Sequence, residues 1–198
     1  MRDPGDGSDP DAGSALPALR WLPPTVFAAL AVVILILAAH QHPPASGDSL
    51  GIAPAAINAA NGRGLINDFW PQTMRYDASG QARFVYHGFL PVLAYAGVLR
   101  CLPGPATAPA AYLINGVFQV AALAACWWAW TALMRHCGRL DGRGRLLIGA
   151  GLLAVATPLL GWGFRPEIIT SLVVALGLRA VRAAPARWRW GVAGMTLG

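Results

Sequence analysis

The feature that most constrains this chain is a series of long apolar runs without a charged residue. The two longest cover residues 21–39 and 108–134, and a third covers 146–164. Because a helix of about 20 apolar residues spans the hydrocarbon core of a bilayer, these runs predict transmembrane helices. A fourth predicted span, 167–183, is weaker, because Arg179 lies within it and has to extend toward the headgroups.

Composition and charge agree with a membrane protein. Hydrophobic residues make up 56% of the chain and charged residues only 12%, whereas soluble domains carry about 25% charged residues. The net charge is +6, and every basic residue is an arginine. Because the arginines cluster next to the apolar runs, they predict membrane orientation and not nucleic-acid binding. The cysteines are odd in number and lack metal-ligand spacing, so no disulfide framework is predicted.

The arginine clusters also predict the topology, because short cytoplasmic loops are rich in basic residues. Two predicted spans separate the clusters at 135–145 and 179–189, so both clusters are expected in the cytoplasm. A cytoplasmic N-terminus then requires that the apolar run 89–102 does not cross. That run is short and contains Pro91 and Arg100, so we expect a helix at the outer surface. Residues 40–107 become one outer loop of a multi-pass protein in the cell inner (plasma) membrane.

The two ends of the chain complete the predicted organisation. Residues 1–19 are rich in Asp, Gly, Pro and Ser, a composition typical of a disordered tail. Their acidic character argues against the alternative that 21–39 is a cleaved signal peptide. Because a further apolar run starts at residue 191, we expect the N-terminal part of a longer protein. The predicted fold is an all-α polytopic membrane protein, with about four complete transmembrane helices and the start of a fifth, in one domain over residues 20–198.

Asp48 is the first charged residue after the first predicted span. It precedes a run with apolar residues at helical spacing, and Gly62 stands where such a helix would end. Asp48 fits either the N-cap of a surface helix or a general base held at the membrane surface, and the two roles are compatible. Pro54 lies inside the run and weakens the prediction of a long helix.

Other polar residues of the outer loop allow both structural and functional interpretations. Asp68 lies among aromatic residues, a setting that suits a sugar or lipid headgroups. Asp77 begins an Asp-Ala-Ser-Gly sequence that predicts a turn. Tyr86 and His87 precede the predicted surface helix. An imidazole titrates near neutral pH, although a solvated loop histidine is the commoner case.

Polar residues near the later spans are open to the same two interpretations. Arg165 and Glu167 flank a proline before the fourth predicted span. Proline and an acid are ordinary residues at a helix start, whereas an arginine there also suits a phosphate. Asn115 and Gln119 lie four apart within the second predicted span, and such residues usually bond to neighbouring helices.

The order of these features resembles a known family. Residues 48–64 read DSLGIAPAAINAANGRG, and they are followed by YDASG, YHGFLPVLA and, in the second predicted span, YLING. With the preceding span and the following arginine loop, this series resembles the N-terminal part of the GT-C membrane glycosyltransferases. It is most similar to the bacterial branch related to protein O-mannosyltransferases and aminoarabinose transferases, and it covers roughly residues 20–185.

The resemblance implies transfer of a sugar from a polyprenyl-phosphate carrier at the outer face of the membrane. An Asp shortly after the first span is the usual catalytic residue of the family, and Asp48 matches its position. The motif that opens the family's surface helix corresponds to His87 and the residues after it, with Gly88 and Phe89 where the family has prolines. The Arg-Pro-Glu sequence resembles a recurrent feature of the second outer loop, with Arg165 a candidate for the carrier phosphate.

These matches predict an inverting transfer in which Asp48 accepts the proton of the acceptor hydroxyl as that hydroxyl attacks the anomeric carbon. Arg165 is expected to stabilise the departing phosphate, with Arg75 and Arg83 as further candidates. Ser49 stands where the family often has a second acid, which leaves a divalent metal open as a cofactor. The expected partners are the lipid-linked sugar donor, membrane lipid, and a glycan, lipid or protein acceptor. The predicted substrate-binding residues are His87, Arg165, Glu167, Asp68 and Tyr86.

Other functions remain open on the sequence. A non-catalytic membrane subunit would use the outer loop to bind a partner protein. A shortened chain would be an inactive remnant of an enzyme. A transporter of lipid-linked sugars would carry polar residues facing inward within its spans, and the predicted spans hold little besides Asn115 and Gln119.

Overall fold

A computed structural model describes residues 17–40, 47–70, 74–76, 82–84, 89–161 and 166–183. The predicted helical architecture is confirmed for most of these residues, and a short 3-10 turn precedes the first α-helix. In chain order the elements are α1 (Leu22–Ala39), α2 (Gly47–Ala60), β1 (Met74–Tyr76), β2 (Ala82–Phe84), α3 (Leu90–Cys101), α4 (Ala108–His136), α5 (Gly142–Gly161) and α6 (Pro166–Ala183).

Helix α4 lies at the centre of a helical bundle and contacts α1, α5 and α6. Near the start of α1, Phe27 packs against Trp127 of α4 with ring centroids 5.1 Å apart. Near the end of α1, Ala38 meets Gly116 in the first half of α4. The two helices are therefore antiparallel, and the start of α1 lies at the same end of the bundle as the end of α4.

That end of the bundle, which we call the arginine end, contains Arg20 and the connection from α4 to α5 with Arg139. Helix α5 starts there too, because a Cβ on Gly149 would stand 3.5 Å from the Cδ2 atom of Leu22. The predicted topology requires these arginine-bearing segments to share one side of a membrane. In the structure they share one end of the bundle, and which side of a membrane that end faces stays a prediction.

The opposite end carries a second packed unit, which we call the head unit and which comprises residues 47–70 and 89–115. Its core contains Ile52, Val92 and Tyr95, whose side chains are fully buried. Ile169, near the start of α6, belongs to the same core. The predicted outer loop is thus a packed structure over these residues, and α4 continues from it into the bundle.

Two helical stretches of the described residues are long and apolar enough to cross a membrane. They are Leu19–Ala39, with 21 residues, and Ala108–His136, with 29 residues, and they match the first two predicted spans. Helices α5 and α6 match the third and fourth predicted segments in position. That α5 and α6 also cross stays a prediction, as does the start of a fifth span, because residues beyond 183 lie outside the described ranges.

The all-α prediction is wrong between α2 and α3, where two short strands form an antiparallel pair. Met74 pairs with Phe84, Arg75 with Arg83, and Tyr76 with Ala82. Aromatic residues are common in strands, and Tyr76 and Phe84 stand at the ends of these two. The turn predicted at Asp77 falls in the connection between the strands, outside the described residues.

Two helix boundaries differ from the predicted ones. The predictions placed them at the ends of uncharged runs, whereas capping interactions of the backbone determine them in the structure. Helix α5 begins at Gly142, four residues before the predicted start, because the Asp141 Oδ1 atom accepts a hydrogen bond of 2.8 Å from the N–H of Gly144. Helix α4 ends at His136, and Gly138, whose φ is +65°, follows the C-cap residue Cys137. Only a residue that tolerates left-handed φ closes a helix in this way.

The short helix predicted over residues 89–102 is confirmed as α3, with 12 residues. One of its faces is buried in the head unit through Val92, Tyr95 and Leu99. Leu90 and Leu93 are exposed on another face. Two apolar faces suit a helix that packs on protein on one side and touches lipid on the other, and its position at a membrane surface stays a prediction.

Candidate functional site

Helix α2 begins the candidate site. It starts at Gly47, so Asp48 lies in the first helical turn and the prediction of Asp48 as the N-cap is wrong. A carboxylate in the first turn still interacts favourably with the helix dipole, although the Asp48 side chain lies outside the described part of the structure. The predicted end at Gly62 is confirmed: its φ is +77°, and the N–H of Arg63 donates to the Asn58 carbonyl at 2.9 Å.

Pro54 interrupts the hydrogen bonding of α2 without ending the helix. In an α-helix the Leu50 carbonyl accepts from the N–H of residue 54, and proline has no N–H to donate. The Asn67 side chain replaces this donor, since its Nδ2 atom lies 2.8 Å from the Leu50 oxygen and 3.0 Å from the Gly51 oxygen. The helix therefore runs over 14 residues because a residue outside it repairs the gap.

Asn67 also shapes the segment that follows it. Its Oδ1 atom accepts hydrogen bonds from the N–H groups of Phe69, at 3.1 Å, and Trp70, at 2.9 Å. The side chain is only 1% exposed. One buried amide thus joins the first turns of α2 to the backbone that carries Asp68.

Two further asparagines fix the chain between α2 and α4. The Asn58 Nδ2 atom donates to the Ile66 carbonyl at 2.9 Å and to the Asp68 Oδ2 atom at 3.3 Å. The Asn61 side chain makes paired hydrogen bonds with the backbone of Ala106, of 3.0 and 2.9 Å. The segment from 61 to 70 is therefore held at several points rather than by its ends alone.

A cavity of about 510 Å³ lies between α2, this segment and the start of α4. Its polar lining comes from Ser49, Asn58, Asp68 and Tyr112, and apolar side chains form the rest. Ligand sites commonly combine an apolar wall with a few fixed polar groups. We call this cavity the head pocket. The other lining residues are Leu50, Ala53, Pro54, Ile57, Phe69, Ala108 and Ala111.

The structure brings together only part of the predicted site. Asp68 is exposed at the head pocket, and Asp48 directly precedes the lining residue Ser49. Glu167 is exposed in the first turn of α6 and lies at the same end of the bundle, because Ile169 belongs to the head core. Three predicted residues, namely Tyr86, His87 and Arg165, lie outside the described residues.

The proposed phosphate helpers occupy paired positions on the two strands. Arg75 is exposed and stands directly opposite Arg83 in the strand register. Like charges at facing positions repel each other, so an anion near both positions would relieve the repulsion. Among the described residues, neither strand contributes to the lining of the head pocket.

The polar residues predicted to pack within α4 do so. Asn115 and Gln119 are both buried, and the hydroxyl of Tyr95 donates to the Asn115 Oδ1 atom at 2.6 Å. Burial raises the pKa of Tyr95 above its ordinary value, so this hydroxyl stays a neutral donor. The bond between Tyr95 and Asn115 fixes α3 against α4. Within the described ranges, no three His, Cys, Asp or Glu side chains group as metal ligands.

Sequence reasoning missed the roles of Asn58 and Asn67. A signal for these roles was present in the sequence. Three asparagines, Asn58, Asn61 and Asn67, lie within ten residues at the end of an apolar helix that contains a proline. The sequence does not reveal which groups these asparagines bind, because the bond from Asn67 to Leu50 joins residues 17 positions apart.

Comparison of the chain with protein-family models, with curated proteins and with solved structures returns no match. The family resemblance therefore rests on the short motifs of the sequence, and the function has to be argued from the site.

Proposed function

We propose that this chain is part of a membrane glycosyltransferase that moves a sugar from a polyprenyl-phosphate carrier to an acceptor hydroxyl at the outer face of the inner membrane. The observation that carries the proposal is the head pocket. It adjoins the helix that follows the first candidate span, its wall is mostly apolar, and a carboxylate stands at its rim. A lipid-linked sugar requires this combination of apolar and hydroxyl-binding surface.

Exposed apolar side chains on every helix of the bundle support the membrane location. Large hydrophobic residues are exposed on α1 and α4, and also on α5 at Leu147 and on α6 at Leu176, which are 60% and 67% exposed. Large apolar side chains exposed on several packed helices favour contact with lipid or with further protein. We therefore propose that α5 and α6 cross the membrane with α1 and α4, with the head unit outside.

In the proposed reaction, the Asp48 carboxylate accepts the proton of the acceptor hydroxyl while the hydroxyl oxygen bonds to the anomeric carbon. The bond between that carbon and the carrier phosphate breaks, and its electron pair leaves with the phosphate. Attack from the opposite side inverts the anomeric centre. The leaving phosphate is already an anion, so Arg165 serves to stabilise charge and not to donate a proton.

The remaining predicted residues bind substrate in this proposal. Asp68 accepts hydrogen bonds from sugar hydroxyls at the head pocket, and Tyr86, His87 and Glu167 are assigned further contacts with the substrate. A divalent metal is left open as a cofactor, since no described residue decides its presence.

The Asp48→Asn variant tests the proposal. The full chain is expressed in bacterial membranes, and transfer from a labelled polyprenyl-phosphate sugar is measured in those membranes. Because an amide cannot accept the proton, we expect transfer to fall by at least about a hundredfold while membrane insertion is unchanged. Asp141→Asn is the matched control, because Asn caps a helix about as well as Asp and residue 141 lies at the arginine end.

Full activity in the Asp48→Asn variant would rule out the assigned base. Equal losses in the Asp48→Asn and Asp141→Asn variants would also count against it, because the loss would then follow from any change of an Asp.

A further inference from the structure

We propose that Asn58, Asp68 and Phe69 form a carbohydrate-binding subsite at the rim of the head pocket, which holds one sugar ring by its hydroxyl edge and one C–H face. This inference rests on the proposed function and assigns the recognition of the sugar to named side chains.

The carboxylate of Asp68 is the hydroxyl-binding group of the subsite. Asp68 is exposed, whereas Asn58, which donates to its Oδ2 atom at 3.3 Å, is 8% exposed and is fixed by a second bond to the Ile66 carbonyl. A carboxylate offers about four acceptor positions, and the Asn58 contact uses one. Neighbouring hydroxyls of a sugar donate to such an acceptor more strongly than to a neutral one.

Phe69 provides the apolar surface of the subsite. Its side chain is 69% exposed although its backbone N–H is held by the buried Asn67 at 3.1 Å. A large aromatic ring that is exposed on a fixed backbone still has its apolar area to bury. A sugar ring offers a face of C–H groups for this contact while its hydroxyls reach the adjacent Asp68.

The charge at the rim decides between a sugar and the other chemical parts of a lipid-linked donor. Among the described side chains that line the head pocket none is basic, so a phosphate held by these side chains would meet the Asp68 carboxylate without a compensating charge. A purely apolar chain would leave Asp68 without donors other than Asn58. A neutral, hydroxyl-rich ring satisfies both the carboxylate and the phenyl ring.

Binding of free methyl glycosides to the full chain tests the subsite. The protein is placed in lipid nanodiscs free of sugar-headed detergent, and saturation-transfer NMR is recorded with the methyl glycosides of mannose, glucose and arabinose. Cyclohexylmethanol, with a ring of similar size and one hydroxyl, is the ligand control. We expect at least one glycoside to bind more tightly than this control.

Variants then separate recognition from folding. Because a charged hydrogen bond contributes about 1.5–3 kcal/mol, Asp68→Asn is expected to weaken binding about tenfold or more. Phe69→Leu is expected to weaken it as well, whereas Phe69→Tyr retains binding because its ring face is unchanged. The matched control Asp141→Asn is expected to leave binding unchanged. Asp68 and Phe69 are both exposed, so we expect their variants to fold.

Two results would overturn the subsite. Glycosides that bind no better than cyclohexylmethanol would do so, and so would unchanged binding in Phe69→Leu, which would make the ring a lipid anchor. The outcome is distinct from that of the proposed function. Sugar binding that depends on Asp68 and Phe69 without any transfer would contradict only the glycosyltransferase, whereas transfer that is unaffected by both variants would contradict only the subsite.

Discussion

Pro54 and Asn67 act as a pair at the residue scale, because one removes a donor from α2 and the other supplies it. The sequence allowed the helix and its end at Gly62 to be predicted, since local spacing and a terminal glycine determine both. It did not reveal Asn67, because a side chain distant in sequence compensates for the proline. The same limit applies to the neighbours of Asp68, because the Asn58 bond to its carboxylate joins residues ten positions apart.

The pair makes a quantitative prediction for stability. Asn67→Ala leaves the Leu50 carbonyl without its donor and removes the bonds to residues 69 and 70, so we expect a loss of about 1–3 kcal/mol in the free energy of unfolding. In the Pro54→Ala background the loss should be smaller, because the substituted alanine supplies a backbone N–H to Leu50 within the helix. Denaturant unfolding of all four proteins in detergent measures the coupling. Strictly additive effects would contradict the compensation.

At the scale of the elements, uncharged runs located the helices and left their ends undetermined. The middle of each predicted span lies within a helix, because apolar length alone requires one. The ends depend on Asp141 and Gly138, which act through backbone hydrogen bonds and φ values rather than through hydropathy. The β1–β2 pair escaped prediction for a related reason, since three-residue strands are too short for a pattern to register.

The contact between α1 and α4 gives the prediction at this scale. A Cβ on Gly116 would stand 2.6 Å from the Cβ of Ala38, so Gly116→Ala has to push the helices apart, and we expect it to destabilise the protein by about 1–3 kcal/mol. Gly97→Ala in α3 is the matched control, because nothing lies within 4 Å of its added Cβ. Alanine favours a helix over glycine by about 1 kcal/mol.

Thermal unfolding in detergent compares the two glycine variants directly. We expect a lower midpoint for Gly116→Ala and an unchanged or higher midpoint for Gly97→Ala. A Gly116→Ala protein as stable as the Gly97→Ala protein would show that the close approach of α1 and α4 is not required.

On the scale of the whole molecule, the native cysteines report the topology. Cys101 ends α3 at the head unit, Cys137 follows α4 at the arginine end, and both are exposed. If α3 does not cross the membrane, a maleimide that cannot permeate the membrane labels Cys101 from outside intact spheroplasts and reaches Cys137 only after lysis. Single-thiol variants made with Cys→Ser changes, Cys126→Ser included, assign each signal.

The opposite labelling pattern would contradict the predicted topology, because a crossing by α3 or an inverted orientation of the whole protein places Cys101 inside and Cys137 outside. The arginine distribution alone predicts that α3 does not cross the membrane. The structure adds that α1, α4 and α5 place Arg20 and Arg139 at one end of the bundle. The maleimide labelling then decides which side of the membrane the arginine end faces.

The most direct test of the central claim is sugar transfer in right-side-out membrane vesicles that contain the full chain. A labelled polyprenyl-phosphate sugar and a hydroxyl acceptor are supplied, and the amount and anomeric configuration of the product are measured by NMR. The account predicts transfer with inversion that is lost in Asp48→Asn and kept in Asp141→Asn. Transfer that persists without Asp48, or that retains the anomeric configuration, would contradict it.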